Sequence, residues 1–366
     1  MLLPQRYRAT LRPARPARRT RRAAVAVATA ALVATALATG DAGTGPGTRS
    51  DITAVAYSAE ATAASETLTA VNAFLATLST TQKSTAQASR TQTNLSQWSN
   101  LPDGLFTRAG LRMDTLTSTQ QAAVLTILRA ALSDEGYEQV TGITTADGVL
   151  HTATGSDDYG SDHYWIRVLG TPSSTGKWTV QYGGHHLAVN ITLTGDTMTL
   201  APTLFGVQPA TYTLNGVSYE PLAGETDKAF AVVQSLNSTQ LDAAVLDTAV
   251  TEIVLGAGQD GKTLAYEGVK ASTFTTAQKT LLLDLITEWI SPLNDEQNAS
   301  KLESAEANID STYFAWYGST SSDQPIYYRV QSPDFTIEFA HQRNMGGISH
   351  IHAIYRESGN DYGAGD

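Results

Sequence analysis

The chain has no cysteine in 366 residues, and only 16% of those residues are charged. The first absence excludes disulfide staples, a catalytic thiol, thiolate zinc sites and cysteine-ligated iron–sulfur clusters. Any metal must therefore be held by His, Asp, Glu or Met. Also missing are a Gly-rich phosphate loop, a dinucleotide fingerprint and a G-x-S-x-G nucleophile elbow. Asp157-Asp158 lies in a Gly-Ser-Asp-Asp-Tyr-Gly loop but lacks the spacing of an EF-hand, so it reads as surface charge. No apolar run reaches the length of a membrane span.

Acidic residues are also missing from the first 38 positions, which hold eight arginines: Arg6, Arg8, Arg12, Arg15, Arg18, Arg19, Arg21 and Arg22. Behind them runs Ala23 to Ala38, apolar and mostly alanine, ending Ala36-Leu37-Ala38. Basic, then apolar, then small residues is the three-part pattern of a secretory signal over 1–38. Arg21-Arg22 is a weaker match to a twin-arginine signal, because alanines follow the pair. The expectation is a secreted or cell-surface protein. Without those arginines, 16 of the 24 basic residues remain against 35 acids, so the net charge moves from −11 to −19. A body that acidic argues against nucleic acid and anionic membrane as partners. Residues 39–65 are Gly/Thr/Ala/Ser-rich without a period and read as a flexible linker.

What is there, above all, is repetition. Leu-Ser-Thr-Thr-Gln at 78–82 returns as Leu-Asn-Ser-Thr-Gln at 236–240, 158 residues later. Gly110-Leu111-Arg112 matches Gly268-Val269-Lys270 at the same offset, and Leu116–Gln120 matches Phe274–Gln278. Thr117 with Gln120 and Thr275 with Gln278 have the spacing of helix capping boxes. The pattern predicts helices near 66–80, 117–133, 225–235 and 275–291, followed in each half by hairpin signals. The strand runs are 163–170, 178–182 and 184–190 in the first half, and 326–331, 335–339 and 349–355 in the second. Matching them pairs Arg167 with Arg329, Gln181 with Glu338 and His185 with His350. The expected fold is α+β: one compact domain over 66–366 made of two duplicated halves, 66–224 and 225–366. Each half is helices followed by an antiparallel β-meander, and a pseudo-twofold relates them.

Four of the seven histidines fall in the last run of each half. His350 and His352, two apart, project from one face of a strand. With His185 as third ligand and Glu338 as fourth, they form a candidate site for zinc, copper, iron or manganese. His186 and His341 are secondary candidates. His186 faces the other way on a regular strand, unless Gly183-Gly184 introduces a bulge. Arg167 and Arg329 sit mid-strand, where buried ion pairs with acids are expected. Two other readings stay open: hydrogen-bonded structural histidines, or a metal-free cleft holding a small polar ligand such as a sugar or peptide. If the site is catalytic, hydrolysis or oxidoreduction at the metal follows.

Several segments resemble one bacterial family. They are Trp178…Gly184-His185-His186-Leu187-Ala188-Val189-Asn190, then Ala201-Pro202-Thr203-Leu204-Phe205-Gly206-Val207-Gln208-Pro209, and His350-Ile351-His352…Arg356…Asn360-Asp361-Tyr362-Gly363. Gly110-Leu111-Arg112, Leu116-Thr117…Gln120 and Gly136-Tyr137 extend the likeness to the first half. Together they are similar to the "domain of unknown function 3500" family over roughly 68–363, with Ala201-Pro202 where that family usually has Thr-Pro. The resemblance implies export, one long domain and a histidine-centred motif, but no activity.

Overall fold

The computed structural model describes residues 62–342 and 345–365. The expected signal, 1–38, and most of the expected linker lie outside the described residues. Order begins earlier than the composition suggested. Thr62 caps helix α1 (Ala63–Ala76), its hydroxyl accepting from Ser65 N, so the last residues of the expected linker are helical.

Helix starts follow capping chemistry. Ser79 with Gln82 opens α2 (Thr80–Ala86), and Thr117 with Gln120 opens α3 (Ser118–Ala131). Each is a reciprocal box that satisfies first-turn donors. A Ser133 cap starts α4 (Asp134–Thr154), which ends at Gly155 in the left-handed conformation that glycine tolerates. Later come α5 (Ala223–Ser235), α6 (Ser238–Ala244), α7 (Thr276–Ile290) and α8 (Asp295–Ala307). The boxes of α6 and α7 are Asn237 with Gln240 and Thr275 with Gln278. Paired glutamines tie neighbouring boxes together. Gln82 bonds Gln120 at 3.3 Å and Gln240 bonds Gln278 at 2.8 Å. Gln120 and Gln278 also donate to the carbonyls of Thr77 and Ser235.

The main strands are β1 (Tyr164–Leu169), β2 (Lys177–Gly184), β3 (Leu187–Thr194), β4 (Thr203–Val207), β5 (Tyr313–Gly318), β6 (Ile326–Gln331), β7 (Phe335–Gln342) and β8 (Gly347–Glu357). All belong to one sheet in the order β1-β2-β3-β4-β8-β7-β6-β5, with antiparallel neighbours throughout. Short strands complete it. Leu111–Arg112 pairs with β1 and Val269–Lys270 with β5, and Gln87–Ala88 adds a parallel edge to β1. The protein is a mixed α+β fold built on a large, mostly antiparallel sheet.

Alternation along the strands sorts residues to two faces. Val180, Ile191, Phe205, Phe314, Tyr328, Ile337 and Ala353 point to the helices, where α1 packs on α3 and α5 on α7. The opposite face carries Ala188, Leu204, Tyr327, Ala340 and Ile354 under Leu95, Trp98, Ile253, Leu255 and Tyr362. Irregular chain therefore roofs that face. On the helix side the α3–α4 and α7–α8 corners meet, with Ser133 Oγ donating to Ser291 O at 2.6 Å. Gly136 permits the approach, since a Cβ there would stand 2.3 Å from Pro292 O.

One expectation needs correction. The strand Tyr313–Gly318 was not anticipated, and it shifts the strand matching by one place. Leu111–Arg112 lies on β1 and its sequence counterpart Val269–Lys270 lies on β5. Arg167 is thus on the strand beside that edge, whereas Arg329 is one strand further in. His185 lies in the β2–β3 turn and His350 on β8, so the two are not counterparts in the ladder.

Candidate metal centre

The site forms where a hairpin tip meets the central strand pair. Gly184 pairs with Leu187, so His185 and His186 are the two-residue turn between β2 and β3 rather than part of a strand. His186 has φ of 65°, and its carbonyl accepts from Gly206 N at 2.7 Å, pinning the turn to β4. The turn removes the expected alternation and stacks the two imidazoles, ring centroids 3.5 Å apart. His350 and His352 come from β8, where His352 stands opposite Gly206. That glycine is required by space. A Cβ on it would lie 2.7 Å from Ile351 O, 3.1 Å from His186 Cδ2 and 3.3 Å from His352 Cδ2.

Three ring nitrogens converge. His186 Nε2 is 2.7 Å from His350 Nε2, which is 3.1 Å from His352 Nε2. The far nitrogens are held by acceptors. His350 Nδ1 lies 2.6 Å from Met345 O, and His352 Nδ1 lies 2.9 Å from a Glu252 carboxylate oxygen. Each acceptor fixes the proton on Nδ1 and leaves an Nε2 lone pair facing the centre. Second-shell partners impose this same arrangement on metal-ligating imidazoles. His185 is held likewise, Nδ1 lying 2.6 Å from Asp147 Oδ1, with Tyr164 OH donating to its carbonyl. Asn100 Nδ2 approaches His352 at 3.3 Å.

All four imidazoles are buried. Burial, reinforced by His352, pulls His350 down to about 4. Burial and the surrounding histidines hold His186 well below the usual imidazole range. In His185, burial outweighs the Asp147 contact and lowers the value as well. Burial opposes ionisation of Glu252, but the bond from His352 prevails and keeps its carboxyl below the ordinary range. These three histidines are therefore neutral, the form in which imidazole binds a metal. On His350 and His352 two Nε2 lone pairs face one another at 3.1 Å and repel unless a cation or a donated proton lies between them. Tetrahedral ligands about 2.0–2.1 Å from a zinc stand about 3.3 Å apart, a small outward shift from what is seen. Among the described residues two groups could hold a metal ion, His186/His350/His352 and Asp147/His185/His186, and within each group the ligand atoms all lie within 4.8 Å of one another.

The structure brings together only part of the set expected from the sequence. His350 and His352 converge, and His186 joins them in place of His185, which stacks beside it. Glu338 is elsewhere on the roofed face: its carboxylate accepts from Val254 N, Leu255 N and Tyr327 OH, so its oxygens anchor the roof. His341 turns to the other face, where Nδ1 accepts from Ile326 N and the ring meets Phe339 edge-on. Arg329 pairs with Glu267 as an expected ion pair, whereas Arg167 meets only Gln181 and the carbonyls of Asn94 and Gln97. Asp147, Glu252, Asn100 and Gly206 were missed. Asp147 lies on the buried stripe 136, 139/140, 143, 146/147, 150 of α4, a helical spacing legible in hindsight. Glu252 and Asn100 sit in irregular chain and carry no pattern.

Fold and site together define an α+β protein with a buried polyhistidine centre. The chain belongs to the family described as protein of unknown function (DUF3500), whose model matches residues 60–364. No curated protein and no solved structure gives a significant match.

Proposed function

We propose that this is an exported metalloprotein that binds one divalent transition ion through Nε2 of His186, His350 and His352. The observation that carries this is the convergence of three Nε2 atoms, with the opposite nitrogens of His350 and His352 tied to Met345 O and Glu252. Zinc, copper, iron and manganese all suit imidazole or mixed imidazole–carboxylate ligation. Three protein ligands leave a fourth position free, the count found in catalytic rather than structural zinc sites. Hydrolysis through a metal-bound water, or oxidoreduction if the ion is copper, iron or manganese, is the chemistry we assign. Glu252, about half exposed, and Asn100 mark the side from which a substrate would approach.

Export rests on the basic, apolar, small-residue order of 1–38. After removal of that segment, the charge of −19 supports a partner that is neither nucleic acid nor anionic lipid. Among the described residues no helix is long and apolar enough to cross a membrane. An origin by duplication is supported by the capping boxes recurring 158 residues apart and by a strand order that reads alike from either edge of the sheet.

A second reading has its own observation. A cavity of about 730 Å³ opens beside Asp260, Tyr266, Gln331, Arg356 and Asp361, a size suited to a small ligand. It supports a secreted binding module for a sugar or peptide without catalysis.

The experiment is elemental analysis of untagged protein, native and reconstituted with each of the four metals. About one equivalent is expected, lost in His350→Ala/His352→Ala and weakened at least tenfold in His186→Ala. A folded protein that takes up none of the four metals overturns the proposal. Binding without turnover favours the binding-module reading.

A further inference from the structure

A second site lies next to the hairpin and does not depend on the metal reading. Arg167, mid-strand on β1, is 4% exposed. Its Nε donates to Gln181 Oε1 at 2.7 Å and its Nη2 to the carbonyls of Asn94 and Gln97. Arg108, in the roof, gives Nη2 to the carbonyls of Ser99, Leu101 and Gly184 and spreads over the rings of Phe106 and Trp165. Its Nη1 is buried with no partner. Among the described residues neither guanidinium has a carboxylate within 4.0 Å, whereas Arg329 has one and Arg112 and Arg356 have two each. The acids that influence Arg108, Asp103 and Asp147, act only through space, and Asp103 is already bonded to Arg112.

Both arginines line one small cavity, closed by Trp98, Ser99, Gln181 and Asn190. Its volume of about 20 Å³ admits a body the size of a single water. The remaining neighbours, amides and carbonyls, bring no negative charge. Burial draws Arg167 down to about 10, which still leaves it charged at neutral pH. A buried cation beside a half-buried one whose Nη1 is enclosed, both without a counter-charge, is a costly arrangement unless an anion supplies one.

We propose that this cavity is a binding site for one small monatomic anion of chloride size, held between Arg108 and Arg167. The orphaned Nη1 of Arg108 would donate to it. The contrast with Arg329 explains the need: β6 sits opposite Glu338 and reaches Glu267, while β1 has only the neutral Gln181 across the ladder.

The test compares thermal unfolding of the full chain in sodium chloride and in sodium gluconate at equal ionic strength. Gluconate is too large for the cavity. Chloride and bromide should raise Tm by about 2–4 °C per tenfold concentration above the dissociation constant, with gluconate giving no such rise. Arg108→Gln should abolish the difference and Arg108→Lys should keep part of it. Crystals grown in bromide should show an anomalous peak in the cavity, a readout that needs no variant. Equal responses to chloride and gluconate, or a cavity holding water alone in bromide crystals, would overturn the site.

Discussion

Asp147 and Glu252 allow the metal centre to be tested without touching a ligand. Each orients a histidine by accepting a hydrogen bond from its Nδ1, at 2.6 and 2.9 Å. Glu252→Gln should weaken metal binding about 10–100-fold because His352 is itself a proposed ligand, and Asp147→Asn should weaken it less. Chelator competition measures this, and unchanged affinity in both variants would show that the carboxylates are only packing partners. Glu225 offers a separate titration. It is fully buried, receives Gln139 Nε2 at 2.7 Å, and is pushed well above the carboxylate range by burial and then by Glu288. The folded state therefore keeps a proton that the unfolded state loses above about pH 4.5. Its contribution is fully present below that value and drains away as pH rises towards the folded value. Urea midpoints of wild type measured from pH 5 to 8 should decline with pH relative to those of Glu225→Gln, which carries no such proton. Parallel curves would sink the assignment. At this scale the sequence was informative about His350 and His352, because period two on a strand fixes a shared face. It misled about His185 and His186, because a two-residue turn leaves no trace in alternation.

Among the elements, the capped helices were the most legible. Thr117/Gln120 and Thr275/Gln278 announce their helices within a residue, since the box chemistry is local. Helix α8 was invisible because its few apolar residues form no stripe, and it buries only Asn298 and Ala305. Strands β4 and β5 both lie outside the expected runs, and leaving out β5 is enough to misalign the strands matched after it. The glutamines make a further prediction. Gln120 and Gln278 each close a box, bond a partner glutamine and reach a carbonyl of the preceding turn. Gln120→Ala and Gln278→Ala should each cost about 1–3 kcal/mol by urea denaturation, and by similar amounts. A difference above about 2 kcal/mol would mean that the two corners are not energetically alike.

The whole molecule depends on one seam. Strands β4 and β8 pair from Val207 with Ile351 to Thr203 with Tyr355, joining chain segments about 150 residues apart. The proposed metal ligands straddle that seam, His186 on one side and His350 and His352 on the other. A chain ending before Gly347 loses two ligands and one side of the seam together. It should bind no metal, and it should elute from size exclusion as oligomers, because both β4 and β7 would present unpaired edges. A monomeric truncated form would contradict this.

Synthesis order gives the seam a further consequence. Strand β8 begins about 140 residues after β4 ends, so β4, an entirely buried strand of five residues, has no partner on that side until that much more of the chain has emerged. For that interval a row of open amides and carbonyls faces solvent between Ala201-Pro202 and Gln208-Pro209. Prolines offer no amide hydrogen, so Pro202 and Pro209 bracket the bare edge with positions that cannot donate to an intruding strand. A strand pairing there before β8 arrives would meet no backbone donor at either proline.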